Sequence, residues 1–131
     1  MKHLLILCFW IIVCSPAWAQ VNHNYKVGPQ NTNCDSLNLK DTDETEAMDL
    51  IHQSKFRFDQ HFNIRRNSGL QAGYFYSCDN KSGFLIIRHD GKNHLFSGVP
   101  VEIWDELISS GDPDGVFEKK ILPEYQYSPG K

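Results

Sequence analysis

The sequence predicts an α+β domain: a small antiparallel sheet of three strands, four at most, preceded by one long amphipathic helix and followed by two short helices. Three observations carry that prediction. Apolar side chains between residues 42 and 62 recur at helical spacing, residues 70 to 97 fall into period-two runs separated by turn residues, and Gly98-Val99-Pro100 interrupts the last run before an acid-studded helical pattern.

The first 19 residues are expected to stand apart as an export signal. Lys2 and His3 form a short basic start, Leu4 to Cys14 an apolar run, and Ser15-Pro16 breaks any helix ahead of Ala17-Trp18-Ala19, which offers small residues where a signal peptidase reads. Eleven apolar residues are too few for a bilayer of roughly 30 Å at about 1.5 Å per residue, which argues against an anchor. Val13 before Cys14 fits a lipoprotein signal poorly. The expectation is therefore an exported, periplasmic or extracellular protein with no membrane span after cleavage.

Residues 20–40 are polar, rich in Asn and without periodicity, so they are expected to be an extended segment that contributes no core. Residues 41–131 would form the single domain. Its long helix is expected from Thr42 to near Asn63: Asp43, Glu44 and Glu46 gather at the start, Lys55, Arg57, Arg65 and Arg66 toward the end, and Ala47, Ile51, Ser54 and Phe58 make the inward stripe, widened by Met48 and Phe62.

Period two then takes over. Leu70 to Ser77 is expected as a strand, Asp79 to Gly83 as a turn, and Phe84 to Arg88 with Asn93 to Ser97 as a hairpin around Asp90-Gly91. A two-residue loop there places His94 and Phe96 with Leu85 and Ile87, whereas a three-residue loop places them with Phe84 and Ile86. Pro100 cannot donate to a ladder but suits a first helical turn, so strand and helix should meet at that residue. Val101, Trp104, Leu107 and Ile108 then form the inward face, and Trp104, like Phe58, is expected in the core. The second short helix has Asp112 as N-cap, Pro113 in its first turn, Val116, Phe117 and Ile121 inward, and Pro123 as terminator.

Composition excludes some functions. Losing Lys2 with the signal takes the formal net charge from −3 to −4, whereas general nucleic-acid binders are basic. Cys8 and Cys14 would leave with the signal, so Cys34 and Cys78 are expected to pair in an oxidising compartment, two free or intermolecular thiols being the alternative. Paired cysteines are not nucleophiles, and no serine stands in a nucleophile elbow. His52 follows Asp49 by one helical turn and His61 follows Asp59, pairs common on solvated faces. His89 and His94 lack a third ligand, so neither a metal site nor any cofactor is expected. Charge is uneven: residues 55–66, KFRFDQHFNIRR, hold four basic residues, one acid and three phenylalanines, while residues 101–124 hold seven acids and two lysines. The first cluster is either a helix end complemented by cations or a patch for an anionic ligand or partner.

Residues 70–127 resemble a KTSC domain, a small module found at the C-terminus of some lysyl-tRNA synthetases and alone in bacterial proteins. The resemblance is carried, in order, by Tyr74 and Tyr76, an apolar strand, Gly91, the aromatic spacing at positions 94 and 96, Gly98-Val99-Pro100, the Trp104 to Leu107 helix, Gly115, Phe117, Ile121 and Tyr125-x-Tyr127. It implies the three-residue loop and, through exposed aromatics, RNA binding. Here the family's central Tyr-x-Tyr is His94-Leu95-Phe96. Without a catalytic set, the sequence predicts a non-enzymatic binding module for a protein or envelope polymer, with Arg57, Arg65, Arg66, Tyr74, Tyr76, His94 and Phe96 as candidate contacts. The alternatives are an RNA-binding domain and an immunity or inhibitor protein for an envelope-acting toxin or hydrolase.

Overall fold

The computed structural model describes residues 33–64 and 69–130. The expected signal, the start of the polar segment, and Arg65 with Arg66 lie outside the described residues. A 3-10 turn at Cys34–Ser36 is followed by α1 (Glu44–Gln53), β1 (Phe58–Asn63), β2 (Leu70–Ser77), β3 (Ser82–His89), β4 (Lys92–Pro100), α2 (Val101–Ser109), α3 (Pro113–Val116) and a π-helical turn, Phe117–Ile121. The four strands form one antiparallel sheet in sequence order.

The expected long helix is a short helix followed by an edge strand. Asp43 caps α1 by accepting from the Glu46 N–H, and the helix ends where Ser54 turns extended and its hydroxyl bonds the Leu50 carbonyl. β1 then pairs with β2 from Phe58↔Ser77 to Asn63↔Ala72. The physical reason is that β2 would otherwise leave its outer N–H and C=O groups unpaired, a cost that helical propensity over six residues does not offset. Phe58, expected in the core, lies at the strand's start and is 37% exposed.

The sheet has two covered faces. On one, Phe75, Leu85, Ile87, Phe96 and Val99 meet Trp104 and Leu107 of α2 and Val116, Phe117 and Ile121 beyond it. Trp104 stacks on Phe75 at 5.4 Å between ring centroids and donates through Nε1 to Gln60 Oε1 at 2.6 Å. Gly73 faces Phe62 across the strands, and a Cβ at Gly73 would strike the Phe62 ring. That close approach is what lets Phe62 reach Trp104, 5.4 Å away. Ile108, expected inward, is exposed.

On the other face Ala47 and Ile51 of α1 pack on Tyr76, Ile86 and Leu95, with Leu37, Leu39, Phe84 and Tyr127 around them. The polar N-terminal segment thus contributes to a core after all. It is fastened by the Cys34–Cys78 disulfide, whose Cα atoms are 5.9 Å apart, and by the Tyr127 hydroxyl, whose single proton is shared between the carbonyls of Leu39 (2.7 Å) and Thr42 (2.9 Å).

The β3–β4 turn takes the two-residue form, not the three-residue form that the family resemblance implied. Asp90 (φ 49°) and Gly91 (φ 77°) both adopt left-handed backbone, as a type I′ hairpin requires, and the register runs His89↔Lys92, Ile87↔His94, Leu85↔Phe96. A bulge follows at Gly98 (φ 68°), where Phe84 passes between the pairs Leu85↔Phe96 and Gly83↔Val99. Pro100, extended at ψ 146°, then leads into α2 as expected.

Candidate functional site

Alternation along β2 turns Tyr74 and Tyr76 toward α1, away from Trp104. Antiparallel pairing sets His61 opposite Tyr74 and Asp59 opposite Tyr76. The last turn of α1 brings His52 over the same two rings. The result is a patch of two phenols, two imidazoles and a carboxylate between the end of α1 and the edge strand.

Its geometry is specific. Tyr76, 8% exposed, lies with its hydroxyl 3.1 Å from His52 Nδ1, the two rings edge-on at 5.8 Å. Burial, then the nearby charges of Asp59 and Tyr74, raise its pKa above the ordinary value of 10, so it is a neutral phenol at physiological pH. Tyr74 is half-buried, stacked by His61 at 6.2 Å and met edge-on by His52 at 6.4 Å. His52, Asp59 and His61 are exposed. Such a surface offers ring faces, hydroxyl and imidazole donors and acceptors, and one negative charge. Among the described residues neither imidazole bonds a carboxylate.

The other candidate residues are elsewhere. Arg57 is exposed, paired with Asp35 at 2.8 Å and donating to the Cys78 carbonyl at 3.2 Å, so it clamps the N-terminal turn beside the disulfide. His94 is half-buried on the opposite face, and Phe96 is sealed there at 1% exposure, edge-on to Phe117 at 5.6 Å. Arg65 and Arg66 lie outside the described residues. Tyr74 and Tyr76 are therefore brought together, and the pair at 94 and 96 is separated from them by the thickness of the sheet.

Sequence reasoning missed His52, Asp59 and His61 as members because it placed residues 58 to 62 on a helix. The available signal was Phe56, Phe58 and Phe62, all at even positions, with Arg57, Asp59 and His61 between them.

Two other features lie apart from this patch. Cys34, Asp35 and Cys78 cluster, but both sulfurs are consumed in the disulfide. A shallow cleft of about 510 Å³ lies between Leu37–Lys40 and the C-terminal tail, with Phe84 and Tyr125 in its lining and, among the described residues, only Lys40 and Glu124 as charges. Among the described residues no helix is long and apolar enough to cross a membrane. No family model, curated protein or solved structure matches the chain.

Proposed function

We propose that this protein is an exported, disulfide-stapled, non-enzymatic binding module of KTSC-like type, which contacts a protein or envelope polymer through the Tyr74–His61–His52 patch. The observation that carries the proposal is Tyr74 itself: a half-exposed aromatic on a sheet face, held between two exposed imidazoles, where the equivalent positions on the other face are sealed. Aromatic rings with a polar rim are what recognition surfaces enrich. Supporting the non-enzymatic part, Cys34 and Cys78 are engaged with each other, and the His52 ring nitrogen faces a phenol whose raised pKa makes it a poor proton donor.

The RNA-binding alternative draws no support from Phe96, which is buried and offers no stacking platform. The test is affinity capture from envelope extract with wild type, Tyr74→Ala and His61→Ala. A partner held by wild type and lost with Tyr74→Ala is the expected result. Capture that Tyr74→Ala and His61→Ala leave unchanged, or turnover of envelope substrates at enzymatic rates, would refute the proposal.

A further inference from the structure

The two edges of the sheet are finished differently. Along β4 the edge is closed: Ser97 N–H donates to the Tyr125 carbonyl (2.9 Å), Tyr127 N–H to the Leu95 carbonyl (3.0 Å), and Leu95 N–H to Glu44 Oε1 (2.7 Å). Along β1 it is open among the described residues. The Ile64 N–H bonds the Gln71 carbonyl at 2.9 Å, which sets the phase of the ladder. Residues 58, 60 and 62 therefore bond inward to β2, and Asp59, His61 and Asn63 present their N–H and C=O groups outward. No described residue bonds them. Edge strands are ordinarily guarded by lysine, proline or a bulge. β1 has no lysine, proline or bulge, its one charged side chain is Asp59, and its register with β2 is unshifted.

The geometry points to a second copy of this chain as the occupant of that edge, with β1 pairing antiparallel to β1 about a twofold axis at Gln60. This inference does not depend on what the tyrosine patch binds. A twofold contact requires a self-complementary strand, and the order of residues in β1 decides the register. An axis at Asp59 would set carboxylate against carboxylate, and an axis at His61 would set imidazole against imidazole. An axis at Gln60 sets Asp59 opposite His61 of the second copy, twice, and Phe58 opposite Phe62 of the second copy, twice. In that register the outward groups of Asp59 and His61 exchange both backbone bonds with their counterparts, giving four new ladder hydrogen bonds.

The side chains agree on both faces. Histidine donates to a facing carboxylate whether neutral or protonated, and opposite-charge cross-strand pairs stabilise a sheet. Phe58, 37% exposed in the single chain, gains an aromatic partner. The sheet becomes eight strands wide, and Asp59 of the second copy arrives beside His61 and hence beside Tyr74, so each tyrosine patch gains a carboxylate from the other chain.

Analytical ultracentrifugation of the purified protein from about 1 to 300 µM tests this. A reversible dimer is expected. His61→Asp sets aspartate against aspartate at both sites and should weaken dimerisation about tenfold or more, and adding Asp59→His restores the pairs and should restore the dimer. Urea midpoints verify folding of each variant. If His61→Asp does not fold, Asp59→Lys carries the same test from an exposed position. A monomer throughout the concentration range, or a dimer that neither substitution weakens, would overturn the inference.

Discussion

Cutting the Cys34–Cys78 link is the most quantitative test of how this fold is held. The bridge spans a sequence separation of 44 residues. In the chain-entropy treatment a loop of that length is worth about 4 kcal/mol, drawn from the unfolded ensemble. The structure argues that little of this comes from the native side, because other contacts hold the same segment. Cys34 N–H bonds the Lys55 carbonyl at 3.1 Å, Arg57 pairs with Asp35, and the Tyr127 hydroxyl grips Leu39 and Thr42. The Cys34→Ser/Cys78→Ser variant should therefore keep its native contacts and lose about 4 kcal/mol in urea, with Tm lower by about 15 °C. Its m-value should rise, because the uncrosslinked chain exposes more surface on unfolding. Amide exchange at Ala47 and Ile51 separates the two origins: protection there should fall only as far as global stability falls. A loss under about 1 kcal/mol, or selective melting of α1 in an otherwise native protein, would refute the loop-closure argument.

Further outcomes follow from individual residues. Gly73→Ala drives a methyl into the Phe62 ring and should cost about 1–3 kcal/mol, with a shift in tryptophan emission, since Trp104 is the one tryptophan beyond residue 19. Gly98→Ala meets no neighbour, so its cost is torsional, about 1 kcal/mol, with Gly98→Asn costing less; equal losses for the two would contradict this. Tyr76 holds its proton to higher pH when folded than when unfolded, so stability is full below pH 10 and falls as pH rises through the folded value. Tyr76→Phe should flatten that alkaline loss in urea melts run from pH 8 to 11. Phe96→Ala should cost about 3–5 kcal/mol, whereas Tyr74→Ala should cost far less and act on ligand capture instead.

The three strands after Leu70, the proline-initiated helix and its Trp104 face were legible because each rests on local chemistry: alternation, a ring that cannot donate, an apolar stripe. The Asp112 cap and Pro113 start of α3 were legible for the same reason. What was not legible depended on partners distant in sequence. Residues 58 to 63 carry a pattern that a helix of period 3.6 nearly satisfies, and only the unpaired edge of β2 decides for a strand. The turn register likewise turned on whether Asp90 would accept a left-handed backbone beside Gly91, a choice that both loops allow in sequence. That one-residue difference moved His94 and Phe96 to the face opposite the two tyrosines. Two of the site's five residues, Tyr74 and Tyr76, were therefore visible, and the three others, His52, Asp59 and His61, emerged only once β1 was in place.

The unequal finishing of the molecule gives direction to where contact occurs. The Trp104 face is closed by two helical segments, and the β4 edge is closed by the C-terminal tail together with the side chain of Glu44. α1 is ten residues long and covers only part of the opposite face, leaving the strip from Asp59 through His61 and Tyr74 exposed or half-exposed beside an unguarded edge. A covering helix that ran to Asn63, as the periodicity suggested, would have roofed that strip. Instead the same residues descend into the sheet and become its rim. Ending α1 at Gln53 therefore does two things at once: it gives β2 a hydrogen-bonding neighbour, and it leaves a polar aromatic strip uncovered. A substitution that extended the helix, such as Ser54→Ala with Lys55→Ala, should for that reason reduce ligand capture and dimerisation together, since both depend on β1 remaining a strand.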